Sequence, residues 1–264
     1  MMSSKWLLRT CVFILGCTLF VGCKQNSNMA SSETADSGIQ PLTDASGVLV
    51  FSRTEGYYHE SIPDGIAAIQ KLGSENGFQV DTTKDASKFS LANLRKYKAI
   101  IFLSTTQDVL DSEQEKAMET YIKSGGGFVG VHAAADTEYN WPWYNKLVGA
   151  YFKSHPNNPN VRNATINVTD KSHPSTKDLP EKWERSDEWY NYKDINPDLK
   201  VLAKLDESSY EGGENGDNHP IIWYHEYDGG RAFYTGGGHT KESFQDPVFM
   251  KHLLGGIEYA MGAE

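Results

Sequence analysis

Four short apolar segments alternate with helix-forming segments between residues 47 and 131, and this alternation constrains the fold more than any other feature. The apolar segments span residues 47–52, 78–82, 99–103 and 128–131. Apolar runs of this length, bounded by turn residues, predict strands buried on both faces. Strand–helix units at this spacing are typical of a parallel sheet with right-handed crossovers. We therefore predict a three-layer α/β fold: a mainly parallel sheet in flavodoxin-like order with helices on both faces, and not an eight-stranded barrel.

The second half of the chain predicts further strands and two helices. Strands are expected over residues 163–169, 200–205, 221–227 and 231–235, and helices over 141–150 and 247–259. Asp228-Gly229-Gly230 predicts a hairpin between the last two strands. In the first half, Ser61 is expected to cap a helix, and Ser112 and Glu115 have the spacing of a capping box.

The amino terminus has the composition of a bacterial targeting segment. Lys5 and Arg9 precede an apolar run over residues 11–21, which is short for a membrane span. Phe20-Val21-Gly22-Cys23 resembles a lipobox, which implies cleavage before Cys23 and lipid attachment to its sulfur. A plain secretory signal and an uncleaved anchor stay open as alternatives.

These signals divide the chain into three parts. We predict a lipoprotein signal peptide over residues 1–22, a flexible tether over 23–46 that carries the lipidated Cys23, and a folded domain over 47–262. The tether is rich in Ser, Asn, Thr and Asp and has few hydrophobic residues to bury. The expected location is the bacterial cell envelope, on the inner or outer membrane, with the lipid as the only membrane contact.

Charge and cysteine content exclude two classes of function. The net charge is −10 and no Lys/Arg cluster is present, so a nucleic-acid partner is excluded. The three cysteines, Cys11, Cys17 and Cys23, all lie in or at the end of the predicted leader. The predicted domain therefore has neither a disulfide nor a thiol nucleophile.

Histidines at strand ends are the first candidates for chemistry. His132 follows the glycine-rich segment 125–131, and His239 follows three glycines after another strand. His59 lies in the loop after the first strand. Since ligands bind at the carboxyl ends of strands in open α/β sheets, the three side chains are expected to share one crevice. His225 and His252 fall inside strand and helix patterns and are interpreted as packing residues.

Asp187 and Glu188 are the carboxylate candidates because they adjoin Trp189 and Tyr190. Aromatic neighbours desolvate a carboxylate and raise its pKa towards the range of a general acid. A histidine–carboxylate set can also bind a divalent metal, but no short metal-binding motif indicates one, and the cofactor stays unknown. Aromatic residues in loops, among them Trp143, offer ring faces that could stack on a sugar.

The sequence resembles the ThuA-like (trehalose utilisation) family, whose fold is similar to that of class I glutamine amidotransferases. The resemblance lies in five segments, residues 54–62, 125–136, 152–156, 187–190 and 230–239. It places His132 where the amidotransferases carry their nucleophilic cysteine, on a sharp strand-to-helix turn. Glutamine hydrolysis by a thiol is therefore excluded in this chain.

The resemblance implies a role in carbohydrate metabolism, with a disaccharide, glycoside or keto-sugar as substrate. His132 and His239 would then be acid–base groups or metal ligands, and Asp187 or Glu188 their carboxylate partner. Substrate contacts are expected from His59, Tyr58, His155, Trp143 and Trp189. A non-catalytic sugar-binding lipoprotein and a structural envelope module are the alternatives.

Overall fold

The computed structural model describes Leu42, Thr43 and residues 45–263. The predicted signal peptide, Cys23 and most of the predicted tether lie outside the described residues. The strands are β1 Val48–Phe51, β2 Val80–Thr83, β3 Ala99–Leu103, β4 Gly127–Val131, β5 Tyr151–Ser154, β6 Val161–Val168, β7 Lys182–Glu188, β8 Asn191–Lys193, β9 Lys200–Asp206, β10 Pro220–Tyr227 and β11 Gly230–Thr235. The helices are α1 Ile62–Asn76, α2 Leu91–Leu94, α3 Ser112–Lys123, α4 Pro142–Val148 and α5 Pro247–Met261. Within residues 45–263 no helix combines the length and the hydropathy needed to cross a bilayer.

Nine strands form one mixed sheet in the order β2-β1-β3-β4-β11-β10-β9-β6-β7. The first five strands of this order pair in parallel, and the remaining pairs are antiparallel. Strands β5 and β8 form a separate antiparallel pair. The parallel part has the flavodoxin-like order, with β11 in the fifth position. The predicted α/β fold class is therefore confirmed.

The parallel strands are buried on both faces because helices cover them. Every residue of β1, β3 and β4 is buried, as expected where crossover helices lie above and below a sheet. Helices α1 and α5 pack together on one face, while α2 contacts α3 on the other. In this arrangement the carboxyl ends of β1, β4 and β11 open towards the same edge of the sheet.

Local corrections concern caps and strands. The capping box of α3 is formed by Asp111 and Gln114, one residue before the predicted Ser112–Glu115 pair. Ser61 occupies the N-cap position of α1, as predicted, but its side chain makes no capping hydrogen bond because its hydroxyl donates to the carbonyl of Gly238. The segment around Asp187, predicted as irregular, is the end of strand β7, and strands β5 and β8 were not predicted.

Asp187 ties the end of β7 to the loop that follows β11. Its carboxylate accepts the backbone N–H groups of Gly238 at 2.9 Å and His239 at 3.0 Å. It also accepts the Ser243 hydroxyl at 2.8 Å and forms an ion pair of 3.1 Å with Arg185. The Asp187 side chain is fully buried. A buried carboxylate is tolerated only when it is paired and hydrogen-bonded, and Asp187 meets both conditions.

We expect Asp187→Asn to lower the free energy of unfolding by about 3 kcal/mol, because it leaves the buried Arg185 without its counter-charge and removes acceptors from the loop. Urea unfolding at pH 7 measures this effect. Exposed Asp217→Asn is the control and should change stability by less than about 0.5 kcal/mol. Equal stability of the two variants would contradict the structural role of Asp187.

A second prediction concerns His252, which α5 buries between the carbonyl of Ser175 and the hydroxyl of Thr235. Burial lowers the pKa of His252 to about 3. Between its unfolded pKa of 6.5 and this value, the unfolded chain binds a proton that the folded chain does not. Stability contributed by neutral His252 is therefore present above pH 6.5 and is lost as the pH falls towards 3.

We expect His252 to account for about 2 kcal/mol of the stability that the protein loses between pH 7 and pH 5. The measurement is urea unfolding at both pH values for wild type, His252→Gln and the neighbouring exposed control Lys251→Gln. The loss should shrink by about this amount in His252→Gln only. The same pH-dependent loss in all three proteins would refute the assignment.

Candidate functional site

His132 lies on a strained turn directly after β4. Its φ of 49° is in the left-handed region, which costs a residue with a Cβ about 1–2 kcal/mol. The hydroxyl of Tyr234 donates to its carbonyl at 2.7 Å, and its own Nδ1 is 3.0 Å from the carbonyl of Gly236. Gly130 is required because a Cβ there would lie 2.9 Å from the Tyr234 ring. This is the geometry of a nucleophile elbow with an imidazole in place of the nucleophile.

His132, His239 and Glu188 converge behind this turn. Oε2 of Glu188 lies 3.3 Å from Nε2 of His132 and 3.0 Å from Nδ1 of His239. The two histidine nitrogens are 3.2 Å apart. His59 joins them from the loop after β1, with ring centroids 4.9 Å from His132 and 5.1 Å from His239. We call His59, His132, His239 and Glu188 the histidine cluster.

Burial and neighbouring charges shift the pKa values of His59 and Glu188 in the cluster. Burial, and then the charges of His132 and His239, lower the pKa of His59 to about 2. Burial alone would raise the pKa of Glu188, but hydrogen bonds and charges from His132 and His239 hold this pKa well below its ordinary value. The cluster thus combines an ionised carboxylate with a neutral His59. This donor set, three imidazoles and one carboxylate, is one that could hold a divalent metal.

A cavity of about 390 Å³ opens above the cluster. His59 and Glu188 form part of its wall, whereas His132 is fully buried behind them. Aromatic rings of Tyr57, Phe152 and Tyr190 form the apolar part of the wall. The polar part consists of Asp136, His155 and the three asparagines Asn157, Asn158 and Asn160.

Two polar contacts extend the cluster into the cavity. Oε1 of Glu188 accepts a 2.6 Å hydrogen bond from the amide of Asn160 and lies 3.6 Å from Nε2 of His155. Elsewhere in the cavity wall, Asp136 accepts a hydrogen bond of 2.5 Å from the hydroxyl of Tyr139. Burial nevertheless raises the pKa of Asp136 above its usual value. Asp136 is therefore a cavity carboxylate whose pKa lies closer to neutrality than that of a free aspartate.

The structure brings five of the predicted site residues together: His59, His132, His155, Glu188 and His239. Asp187, predicted as a catalytic alternative to Glu188, is not in the cavity, since the β11 loop, Arg185 and Ser243 occupy its carboxylate. It positions His239 instead.

The three aromatic substrate contacts predicted from sequence lie elsewhere. Trp189 is fully buried, and its indole N–H donates to the carbonyl of Arg162. Trp143 donates to Asp228 in the turn before β11, at the opposite end of that strand from the cluster. Tyr58 is exposed, with the ammonium of Lys84 5.3 Å from its ring centroid. None of these three rings is part of the cavity wall.

Asp136 and Asn160 are cavity residues to which the sequence analysis assigned no role. Asp136 closes the short 3₁₀ turn that begins at His132, so its place four residues after a predicted site residue was the available signal. Asn160 precedes β6 in a segment without a motif. Only its three-dimensional contact with Glu188 identifies it.

Comparisons with known proteins agree with this fold. A ThuA-like protein from Bacteroides uniformis shares 27% of its residues with the chain, with a TM-score of 0.68, over 84% of this chain and 92% of that one. One from Parabacteroides merdae shares 22%, with a TM-score of 0.66, over 83% and 91%. A β-galactosidase from Bacillus circulans sp. alkalophilus shares 13% over 82% of this chain and 31% of its own length, with a TM-score of 0.54, and this likeness concerns the fold alone.

No curated protein sequence matches the chain. The sequence model of the family described as "ThuA: Trehalose utilisation" matches residues 47–260, which include the whole histidine cluster and the cavity. The chain therefore belongs to the ThuA family.

Proposed function

We propose that the protein is a carbohydrate-processing enzyme that acts on a disaccharide, glycoside or keto-sugar by acid–base proton transfer. The observation that carries the proposal is the histidine cluster at the wall of a cavity of about 390 Å³. Cavities of this size take small ligands and not polymers. Family membership supports a sugar as the ligand.

The cavity wall suits a sugar. Rings of Tyr57, Phe152 and Tyr190 offer apolar faces for the C–H faces of a pyranose, and asparagine amides can pair with hydroxyl groups as donors and acceptors. Among the residues that the structure describes, no Lys or Arg lines this cavity. A neutral polyhydroxylated molecule therefore fits it better than a phosphorylated one, which requires cationic partners.

Proton abstraction next to a carbonyl group fits the available side chains. The base takes a proton from the carbon beside the carbonyl, and the electron pair moves to the carbonyl oxygen. The proton of the hydroxyl group on that carbon then passes to the former carbonyl oxygen, and the abstracted proton returns to the former carbonyl carbon, so the carbonyl group moves to the neighbouring carbon without a nucleophile. Asp136 is the candidate base because it lines the cavity and burial raises its pKa. The histidine cluster, on the Glu188 side of the cavity, is the region that can stabilise charge on the oxygen.

We expect Asp136→Asn to slow this proton transfer at least about 100-fold, since a positioned general base contributes about 10²–10⁴. The measurement is incorporation of deuterium from D₂O into keto forms of trehalose and other disaccharides, followed by NMR. His132→Ala should abolish the deuterium incorporation. Trp143→Phe, which changes a ring outside the cavity, is the matched control and should exchange at the wild-type rate.

Calorimetric titration of the same sugars separates the alternatives. Saturable binding without exchange or product would support a sugar-binding lipoprotein and refute the enzyme. Unchanged turnover in both Asp136→Asn and His132→Ala would refute the assigned site.

We further propose that the chain is anchored to the bacterial cell envelope through a lipid on Cys23. Support comes from the basic Lys5 and Arg9, the apolar run 11–21 and the lipobox-like residues before Cys23. The polar segment 23–46 would then hold the domain away from the membrane surface.

Cys23→Ala should move the protein from the membrane fraction to a soluble fraction and prevent incorporation of labelled fatty acid, because the sulfur is the site of lipidation. Cys17→Ala is the control and should remain lipidated. Membrane association of Cys23→Ala equal to wild type would favour an uncleaved anchor.

A further inference from the structure

We propose that the histidine cluster binds one divalent transition-metal ion of the zinc class, held by His59, His132, His239 and Glu188. The four residues come from the ends of β1, β4, β7 and β11, so the fold itself brings the ligands together. No two of their ligand atoms are more than 4.8 Å apart.

The distances within the cluster are those of ligands around one ion. Zn–N and Zn–O bonds of about 2.0–2.1 Å in a tetrahedron place neighbouring ligand atoms about 3.3 Å apart. The three separations among His132 Nε2, His239 Nδ1 and Glu188 Oε2 are 3.0, 3.2 and 3.3 Å. These two imidazole nitrogens and this carboxylate oxygen therefore lie at the mutual distances expected for three ligands of one tetrahedral zinc ion.

Groups around the cluster orient these ligands as the outer shell of a metal site does. Nδ1 of His132 points at the carbonyl of Gly236, which fixes the hydrogen there and leaves the Nε2 lone pair free for the ion. Asn160 holds Oε1 of Glu188 and leaves Oε2 as the ligand. Asp187 fixes the backbone of His239. Each of the three inner ligands is thus oriented by a separate hydrogen bond.

His59 provides independent support for a bound ion, because one of its buried ring nitrogens lacks a hydrogen-bond partner among the described residues. Only 2% of the residue is exposed, and its Nδ1 has no hydrogen-bond partner among the described residues. A buried polar nitrogen without a partner costs about 1–3 kcal/mol. Its ring lies edge-on to both His132 and His239 and also lines the cavity, so it completes the ligand set from the cavity side.

The donor set selects the class of ion. Three imidazoles and one carboxylate favour Zn²⁺ and its transition-metal neighbours, whereas Mg²⁺ and Ca²⁺ prefer oxygen ligands. If the proposed function holds, on which this step rests, such an ion would polarise the carbonyl oxygen of a keto-sugar in the cavity. Asp136 and His155 lie outside the cluster and stay available for the proton.

Metal titration without sugar tests the site. The full chain, purified in detergent and stripped with a chelator, is titrated with Zn²⁺ by calorimetry against a competing chelator. We expect one ion per chain and at least about 100-fold weaker binding in His132→Ala, His239→Ala and Glu188→Gln. Trp143→Phe changes a ring outside the cavity and should bind Zn²⁺ as wild type does.

Visible absorption of Co²⁺-loaded wild type gives a second readout that needs no variant. Intense bands of four- or five-coordinate Co²⁺ are expected, and the weak spectrum of an octahedral aqua ion would overturn the proposal. So would the absence of one-to-one binding by wild type, or equal affinity in folded cluster variants and Trp143→Phe. Because no sugar is present, a failed metal site and a failed sugar activity are distinguished.

Discussion

The contact between the Asp187 carboxylate and the loop after β11 is the interaction on which the site depends. Strand β7 lies at the far end of the sheet order from β4, and this contact fixes its end to the backbone of the loop that carries His239. The positive charge of Arg185 stabilises the buried Asp187 carboxylate, and the Arg185 guanidinium also packs on Phe249 of α5. Because the end of β7 is fixed in this way, the side chain of Glu188, one residue later, lies within 3.3 Å of both His132 and His239.

Alternation along a strand explains why two adjacent acids have different roles. Successive side chains of β7 point to opposite faces, so Asp187 faces α5 and the loop while Glu188 faces the cluster. The two acids are interchangeable candidates from sequence because residues 182–188 carry no recognisable strand pattern. With the strand known, the period of two would have separated a positioning carboxylate from a ligand or catalytic one.

The parallel half of the fold was predictable because its strands and helices are marked by residues within each segment. Strands β1, β3 and β4 are continuous apolar runs, and between them α1 stops at Gly77 and α3 has its own capping box. The strands β5, β7 and β8 are half polar or very short, and their pairing is set by distant partners. The convergence of His59, His132 and His239 was predicted because each follows a strand that opens to the same sheet edge. The aromatic contacts were misplaced because a tryptophan beside a site residue is as easily a core residue, as Trp189 is.

The same reasoning shows why no metal motif is visible in the chain. The four cluster residues are spread from position 59 to 239 and come from four strand ends, so no short spacing joins them. What the sequence retains is the elbow: a glycine two residues before His132 and an alanine two residues after it, around a left-handed φ. In an amidotransferase-like fold this strain presents a thiol to the substrate. In this chain it directs an imidazole inwards, beneath His59 and Glu188, where its Nε2 contacts Glu188 and His239 and its ring is not part of the cavity wall.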